Sequence, residues 1–192
     1  MEDKKRRLYA SAKELFSRKG FKDTNVSDIT KEAGMAVGTF YNYYASKEKL
    51  FMDIFLDENI KLKKSMVAVV DMDQEPLNVA RQMMVLNMQG MQENPILKEW
   101  YNKSVFDKIE QLYREENGIE AVDFMYDTFL HLVEKWQAEG KMRKDLSSKM
   151  IMAIFAAIIN IDTHKDEIGL EYFPELMETI TELVFKGLCD YD

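Results

Sequence analysis

Apolar residues recur at helical spacing almost from one end of this chain to the other. Leu8, Ala12, Leu15 and Phe16 fall on one face of a first helix that Gly20 stops. Two short helical segments follow, Val26 to Ala33 and Val37 to Tyr44, with a three-residue break that begins at Gly34. Ser46 has the chemistry of an N-cap for a fourth helix, Lys47 to about Val70, whose apolar positions include Leu50, Phe51, Ile54, Phe55, Met66 and Val70. The polar stretch from Asp71 to Pro76 separates it from a fifth, Leu77 to about Gln92. Asn94-Pro95 opens a sixth, which carries Trp100, Val105, Ile109 and Leu112 to a break at Asn117-Gly118. A seventh, Ile119 to Glu139, places Val122, Met125, Phe129, Leu132 and Trp136 in one stripe, and Gly140 closes it. Two more are expected over about Ser147 to Thr163 and Leu170 to Leu188. No segment alternates with period two between turn signals, so no strand is expected.

The pattern predicts an all-α chain of about nine helices. Residues 1–46 hold three of them, and residues 47–192 hold a larger helical bundle. Two short helices joined by a tight glycine turn are the sequence form of a helix-turn-helix, whose second helix enters the DNA major groove. Ala33 and Gly34 let the two helices cross closely, and Phe16, Phe21, Ile29 and Phe40 supply a small core that fixes their angle. Thr24 or Asn25 caps the first of the pair.

Charge changes the picture more than composition does. The 192 residues carry a net charge of −8, unpromising for a nucleic-acid partner. Yet residues 1–50 hold 11 Lys/Arg against 7 Asp/Glu, while the rest holds 15 against 27. A basic end on an acidic body is the distribution expected when only one end meets phosphate. The single cysteine, Cys189, excludes an intramolecular disulfide and a cysteine-cluster zinc site. The first residues, MEDKKRRLYASAKELF, lack the apolar core of a signal peptide. The longest apolar run, Met150 to Ile159, is about half the roughly 20 residues that cross a bilayer. A cytoplasmic protein without a cofactor or membrane partner is expected.

Leu15-Phe16, Gly20-Phe21, Thr24, Asp28-Ile29, Ala33-Gly34, Gly38-Thr39-Phe40-Tyr41, Tyr43-Tyr44 and Ser46-Lys47-Glu48-x-Leu50-Phe51 together resemble the N-terminal signature of the TetR family of transcriptional regulators. The resemblance covers roughly the first quarter of the chain and implies a DNA-reading head. The expected DNA-binding residues are Arg6, Thr24, Asn25, Ala36, Val37, Gly38, Thr39, Tyr41, Asn42, Tyr43 and Lys47, with Phe40 and Tyr44 as packing residues. Gly38 leaves room for backbone close to DNA, and Thr39, Tyr41, Asn42 and Tyr43 offer hydroxyls and an amide to base edges or phosphates. Lys47 adds a charge beside the free N–H groups at the start of the fourth helix, which suits a phosphate. The run Lys4-Lys5-Arg6-Arg7 is either a further phosphate grip or merely solvated. Many family members read Ser-Lys before the Gly-Thr. Here Ala36-Val37 stand there, which favours apolar contact with thymine methyls.

The resemblance also implies an effector pocket within the bundle and dimerisation through its last two helices. Five methionines lie between Met72 and Met91, with Trp100, Tyr101, Phe106, Phe124, Tyr126 and Phe129 on neighbouring helices. Methionine reshapes readily around varied guests, so an apolar pocket lined by Met84, Met88, Trp100, Tyr101, Phe106, Phe124 and Phe129 stands against the plainer reading of ordinary core. Met150 to Ile159 is apolar all round and needs cover on every side. Ile154, Ile158, Tyr172, Leu176, Ile180, Leu183 and Val184 are the expected dimer contacts. Glu120, Asp123, Asp127, His131 and Glu134 share the face of the seventh helix opposite its apolar stripe, where solvation is the ordinary state and no metal is expected.

The expected function is a homodimeric repressor released from a palindromic operator by a small, largely apolar effector. A ligand-dependent activator of the same fold and an adaptor that has lost DNA reading are the alternatives. An enzyme is not expected, because no nucleophile–base motif, phosphate loop or HExxH spacing occurs.

Overall fold

Residues 2–115, 123–161 and 168–189 are described in a computed structural model of the chain. They form ten α-helices and no strand: α1 Glu2–Lys19, α2 Val26–Glu32, α3 Val37–Phe40, α4 Lys47–Val69, α5 Pro76–Glu93, α6 Pro95–Lys98, α7 Lys103–Glu115, α8 Asp123–Ala138, α9 Ser148–Ile161 and α10 Phe173–Cys189. Short 3-10 turns occupy Glu99–Tyr101 and Leu170–Tyr172. No helix among these residues is long and apolar enough to cross a membrane.

The caps explain several boundaries. Asn25, not Thr24, caps α2: its side chain accepts from Asp28 N at 2.8 Å, and Asp28 accepts in return from Asn25 N at 3.3 Å. Ser46 accepts from Lys49 N at 3.1 Å and starts α4. Gly20 and Gly34 follow α1 and α2 with φ of 81° and 66°, a backbone state that glycine alone adopts freely. The single sixth helix expected from periodicity is in fact three pieces, because Asn102 takes an extended conformation between the 3-10 turn and α7. Its carbonyl accepts from Val105 N and Phe106 N at 2.9 and 2.8 Å, so α7 starts afresh there. The break brings Trp100 against Phe55, stacked at 5.4 Å, and against the edge of Phe106 at 4.8 Å.

The chain divides into two compact units, one of Met1–Lys64 with Met88–Ala121, the other of Ser65–Asn87 with Val122–Asp192. In the first, an aromatic series runs from Phe16 and Phe21 through Phe51 and Phe55 to Trp100 and Phe106. Leu8, Ile29, Phe40, Leu50 and Ile54 are buried around it. At Gly90 of α5, an added Cβ would lie 2.2 Å from Leu62 Cδ1 of α4, so the two helices meet closely there. Glu58 of α4 is reached from three elements: it accepts from Lys13 Nζ of α1 at 2.7 Å, from Lys61 Nζ at 2.8 Å and from Asn94 Nδ2, just before α6, at 2.9 Å.

In the second unit, Val133, Trp136, Met142, Ile151 and Phe185 are buried. Phe155 and Phe185 stack at 5.1 Å, holding α9 against α10. Arg143 closes the end of α10 by donating to the Leu188 and Gly187 carbonyls at 2.8 and 3.2 Å. Ile159 and Leu183 nevertheless stay 66% and 65% exposed, and Met150 and Tyr172 are exposed with them. Ile154, Ile158, Leu176, Ile180 and Val184 are half-buried.

Candidate nucleic-acid interface

The helix-turn-helix is positioned from several sides. Arg7 Nη2 donates to the Ala33 carbonyl at 2.5 Å, which fills the end of α2. Met35 N donates to Thr30 O at 2.8 Å and turns the chain toward α3. Phe40 and Tyr44 are buried as packing residues. The α1–α2 turn is gripped twice at one residue: Phe21 N donates to Glu99 Oε1 at 2.8 Å, and Phe21 O accepts from Lys47 Nζ at 2.8 Å.

On this frame α3 is a single turn of helix, shorter than the expected Val37 to Tyr44. Residues 41–43 continue it only as a turn, in which Asn42 N and Tyr43 N donate to Thr39 O and Phe40 O at 3.3 and 2.9 Å. Val37 and Tyr41 are 44% and 58% exposed, in a head whose other large apolar groups are mostly buried. Ala36, Gly38 and Asn42 are exposed too, and Thr39 and Tyr43 are half-buried. An added Cβ at Gly38 would meet nothing within 4 Å, and Gly38 is absent from the positive-φ glycines. Neither its backbone nor its own fold therefore requires glycine at this position.

The remaining expected contacts are placed otherwise. Thr24 is fully buried and its hydroxyl donates to the Gly20 carbonyl at 2.8 Å, so its side chain serves the turn. Asn25 is exposed but holds the capping box. Arg6 is exposed and paired with Asp3 at 3.2 Å. Lys5 lies over the Tyr44 ring at 5.5 Å. Burial pushes the Tyr44 hydroxyl up to about 12, helped by the carboxylates of Asp53 and Asp57. Tyr9 is pushed up likewise by burial and by donating to Asp57 at 2.6 Å.

Lys47 differs most from the expectation. Its ammonium donates to the Phe21 and Thr24 carbonyls at 2.8 and 2.7 Å and sits 4.1 Å from the Phe21 ring centre. Burial draws it below its usual range, against the pull of Glu48. Two of its three donors are engaged within the head. Lys47→Met will therefore lower stability by about 1–2 kcal/mol, the cost of leaving such carbonyls without a partner. It will leave the salt dependence of any DNA complex unchanged. A thermal melt and a salt titration check this, and a slope reduced by about one per head would make Lys47 a phosphate contact instead.

The expected pocket residues are not brought together in one unit. Trp100 and Phe106 lie in the packed aromatic series of the first unit. Tyr101 borders an open cleft of about 340 Å³ beside Gly20, Pro95 and Glu99. Met88 belongs to the first unit as well, while Met84 and Phe129, both half-buried, belong to the second. The side chain of Phe124 lies outside the described residues, as does Glu120 of the acidic face. On that face, Asp127 and His131 are exposed and His131 Nδ1 lies 2.6 Å from the Asp127 carbonyl.

A first unit in which a one-turn helix follows α2 across a glycine turn, with one side exposed, defines a helix-turn-helix protein. The family profile described as "Bacterial regulatory proteins, tetR family" matches residues 8–54. Residues 8–54 thus carry the N-terminal domain that this family's profile describes. The chain is 42% identical over 64 residues to the uncharacterized HTH-type transcriptional regulator YdgC of Bacillus subtilis (strain 168), a match covering 33% of this chain and 32% of that protein. The uncharacterized HTH-type regulator YfiR of the same organism is 40% identical over 62 residues, 30% of each chain. The match thus spans about a third of the curated relatives' length. Over nearly the whole chain, the fold is that of Thermus thermophilus FadR, a TetR-family repressor solved with lauroyl-CoA (TM-score 0.63, 23% identity, 95% of this chain and 94% of that one). It is also that of FadR from Bacillus subtilis with stearoyl-CoA (TM-score 0.59, 17% identity, 95% and 98%).

Proposed function

We propose that this chain is a DNA-binding transcriptional repressor. Two copies pair through α9 and α10, their heads read the half-sites of a palindromic operator, and a small, largely apolar effector releases them. The functional division falls at residue 46, with the reading head before it and the effector and dimerisation body after it. The exposed face of α3, with Val37, open Gly38 and Tyr41 outward on a rigidly held head, carries the reading. Ala36, Thr39, Asn42, Tyr43, Asn25 and Arg6 complete the proposed contact set, while Thr24 and Lys47 fix the head. The uncovered apolar face of Ile159, Tyr172 and Leu183 supports pairing. The acyl-CoA ligands of the two FadR structures support an effector with a long apolar chain. Methionines such as Met84 and Met88 are the adaptable side chains that would line its site.

The direct test is a gel shift on the DNA flanking the chain's own gene, where a specific, salt-sensitive complex is expected. Gly38→Ala sharpens it. Alanine in place of an unstrained helical glycine should stabilise the head by up to about 1 kcal/mol. The same methyl should weaken the operator complex by on the order of tenfold, the worth of one good groove contact. Unchanged operator affinity in a stabilised variant would remove α3 from the interface.

A further inference from the structure

The head leaves one apolar side chain of α3 nearly half exposed. Leu8, Phe16, Phe21, Ile29 and Phe40 are buried, yet Val37 presents nearly half its surface to solvent. A branched apolar residue gains nothing for a helix this short, since β-branching lowers helix propensity. Val37 also lacks a hydrogen-bonding group, so its contribution to recognition is shape and apolar contact alone. The next residue is Gly38, with open space where a Cβ would point, so another molecule's surface can approach the backbone beside the valine. Tyr41, the C-cap of α3 and four residues on from Val37, is exposed as well. No charged side chain belongs to α3, whose sequence is Val-Gly-Thr-Phe.

We propose that Val37 reads a thymine through its C5-methyl group, and that this contact is a principal source of the chain's sequence preference. The inference rests on the DNA reading above. Of the groups displayed in the major groove, the thymine methyl is the apolar one, and the other features are hydrogen-bond donors and acceptors that valine has no means to satisfy. A guanine or cytosine edge set against Val37 would lose its water without gaining a bond, which disfavours it further. Gly38 sets how close the backbone comes, and Val37 then discriminates at the base pair it covers.

The experiment uses the full chain and an operator duplex recovered by binding selection. Each thymine of the half-site is replaced in turn by deoxyuridine, which removes only the methyl. With the natural chain, deoxyuridine at one position, and at its symmetry mate, is expected to weaken binding about fourfold, the worth of one buried methyl. With Val37→Ala the two duplexes are expected to bind alike at that position, the coupling a double-mutant cycle isolates. Because Val37 is exposed, an unchanged thermal midpoint accompanies that result. Deoxyuridine without effect at every position, or an equal effect in both proteins, overturns the thymine contact while leaving DNA binding in place. A chain that forms no specific complex with any selected duplex overturns the DNA reading itself, and the contact with it.

Discussion

Ile159→Glu combined with Leu183→Glu will leave the chain monomeric and reduce its operator affinity by about 10²- to 10⁴-fold, without unfolding it. Both side chains are about two-thirds exposed, so neither supports the core of the second unit, which centres on Val133, Trp136, Met142 and Ile151. Exposed apolar side chains such as these on α9 and α10 are unfavourable in water, and pairing with a second copy would cover them. In the proposed dimer the substitutions bring like charges together across a self-complementary interface, where each copy repels its mate. The affinity loss follows from tethering. Once one head is bound, its partner sees the second half-site at a high effective concentration, and a monomer forfeits that gain. Sedimentation velocity gives the mass and a gel shift gives the affinity. A variant that stays dimeric would move the interface away from these helices, and a monomer that binds as tightly as the dimer would refute two-headed reading.

Glu58→Ala will destabilise the first unit by about 2 kcal/mol at neutral pH, and it will flatten the acid limb of the stability profile. The Glu58 side chain is only 11% exposed, and its carboxylate accepts from Lys13, Lys61 and Asn94. Burial alone would push it up, but the three donors outweigh that and hold it at about 2, against an ordinary 4.5. Removing the acceptor strands Lys13 and Asn94, although Lys61, largely exposed, returns to water at little cost, which keeps the figure below that of a fully buried pair. A carboxylate held low in the folded state contributes stability that is complete above its ordinary value. That stability is lost as pH falls from about 4.5 toward 2. Urea midpoints at pH 7, 4.5 and 3 check both points, and a Glu58→Ala profile parallel to that of the natural chain would show that the carboxylate is not thermodynamically coupled to folding.

The parts of the fold that local chemistry determines were legible in the sequence. Asn25 or Thr24, Gly34 and Ser46 act within a few residues of their effect, so caps, turn and helical spacing mark out the helix-turn-helix. What was not legible depends on partners far along the chain. Arg7 meets Ala33 across 26 residues, Lys47 meets Phe21 across the same separation, and Glu99 meets Phe21 across 78. A lysine next to a recognition helix has the chemistry of a phosphate contact, and nothing local in the sequence marks the turn that it also staples. The break at Asn102 was hidden because no glycine or proline marks it; side-chain bonds to Glu99 and Ser104 stabilise the extended residue instead. Composition does not distinguish a pocket wall from a packed aromatic series such as Phe55, Trp100 and Phe106.

The close meeting of Gly90 with Leu62 links the histories of two positions 28 residues apart. A side chain gained at 90 meets Leu62 at both methyls and at Cγ, so the leucine has to turn aside or shorten before position 90 is filled. A lineage that first shortens position 62 is released to fill position 90, and the order of the two changes is constrained even though either final pair packs well. Reciprocal size change at 62 and 90 is therefore the mark that this crossing should leave in the record of the family's divergence.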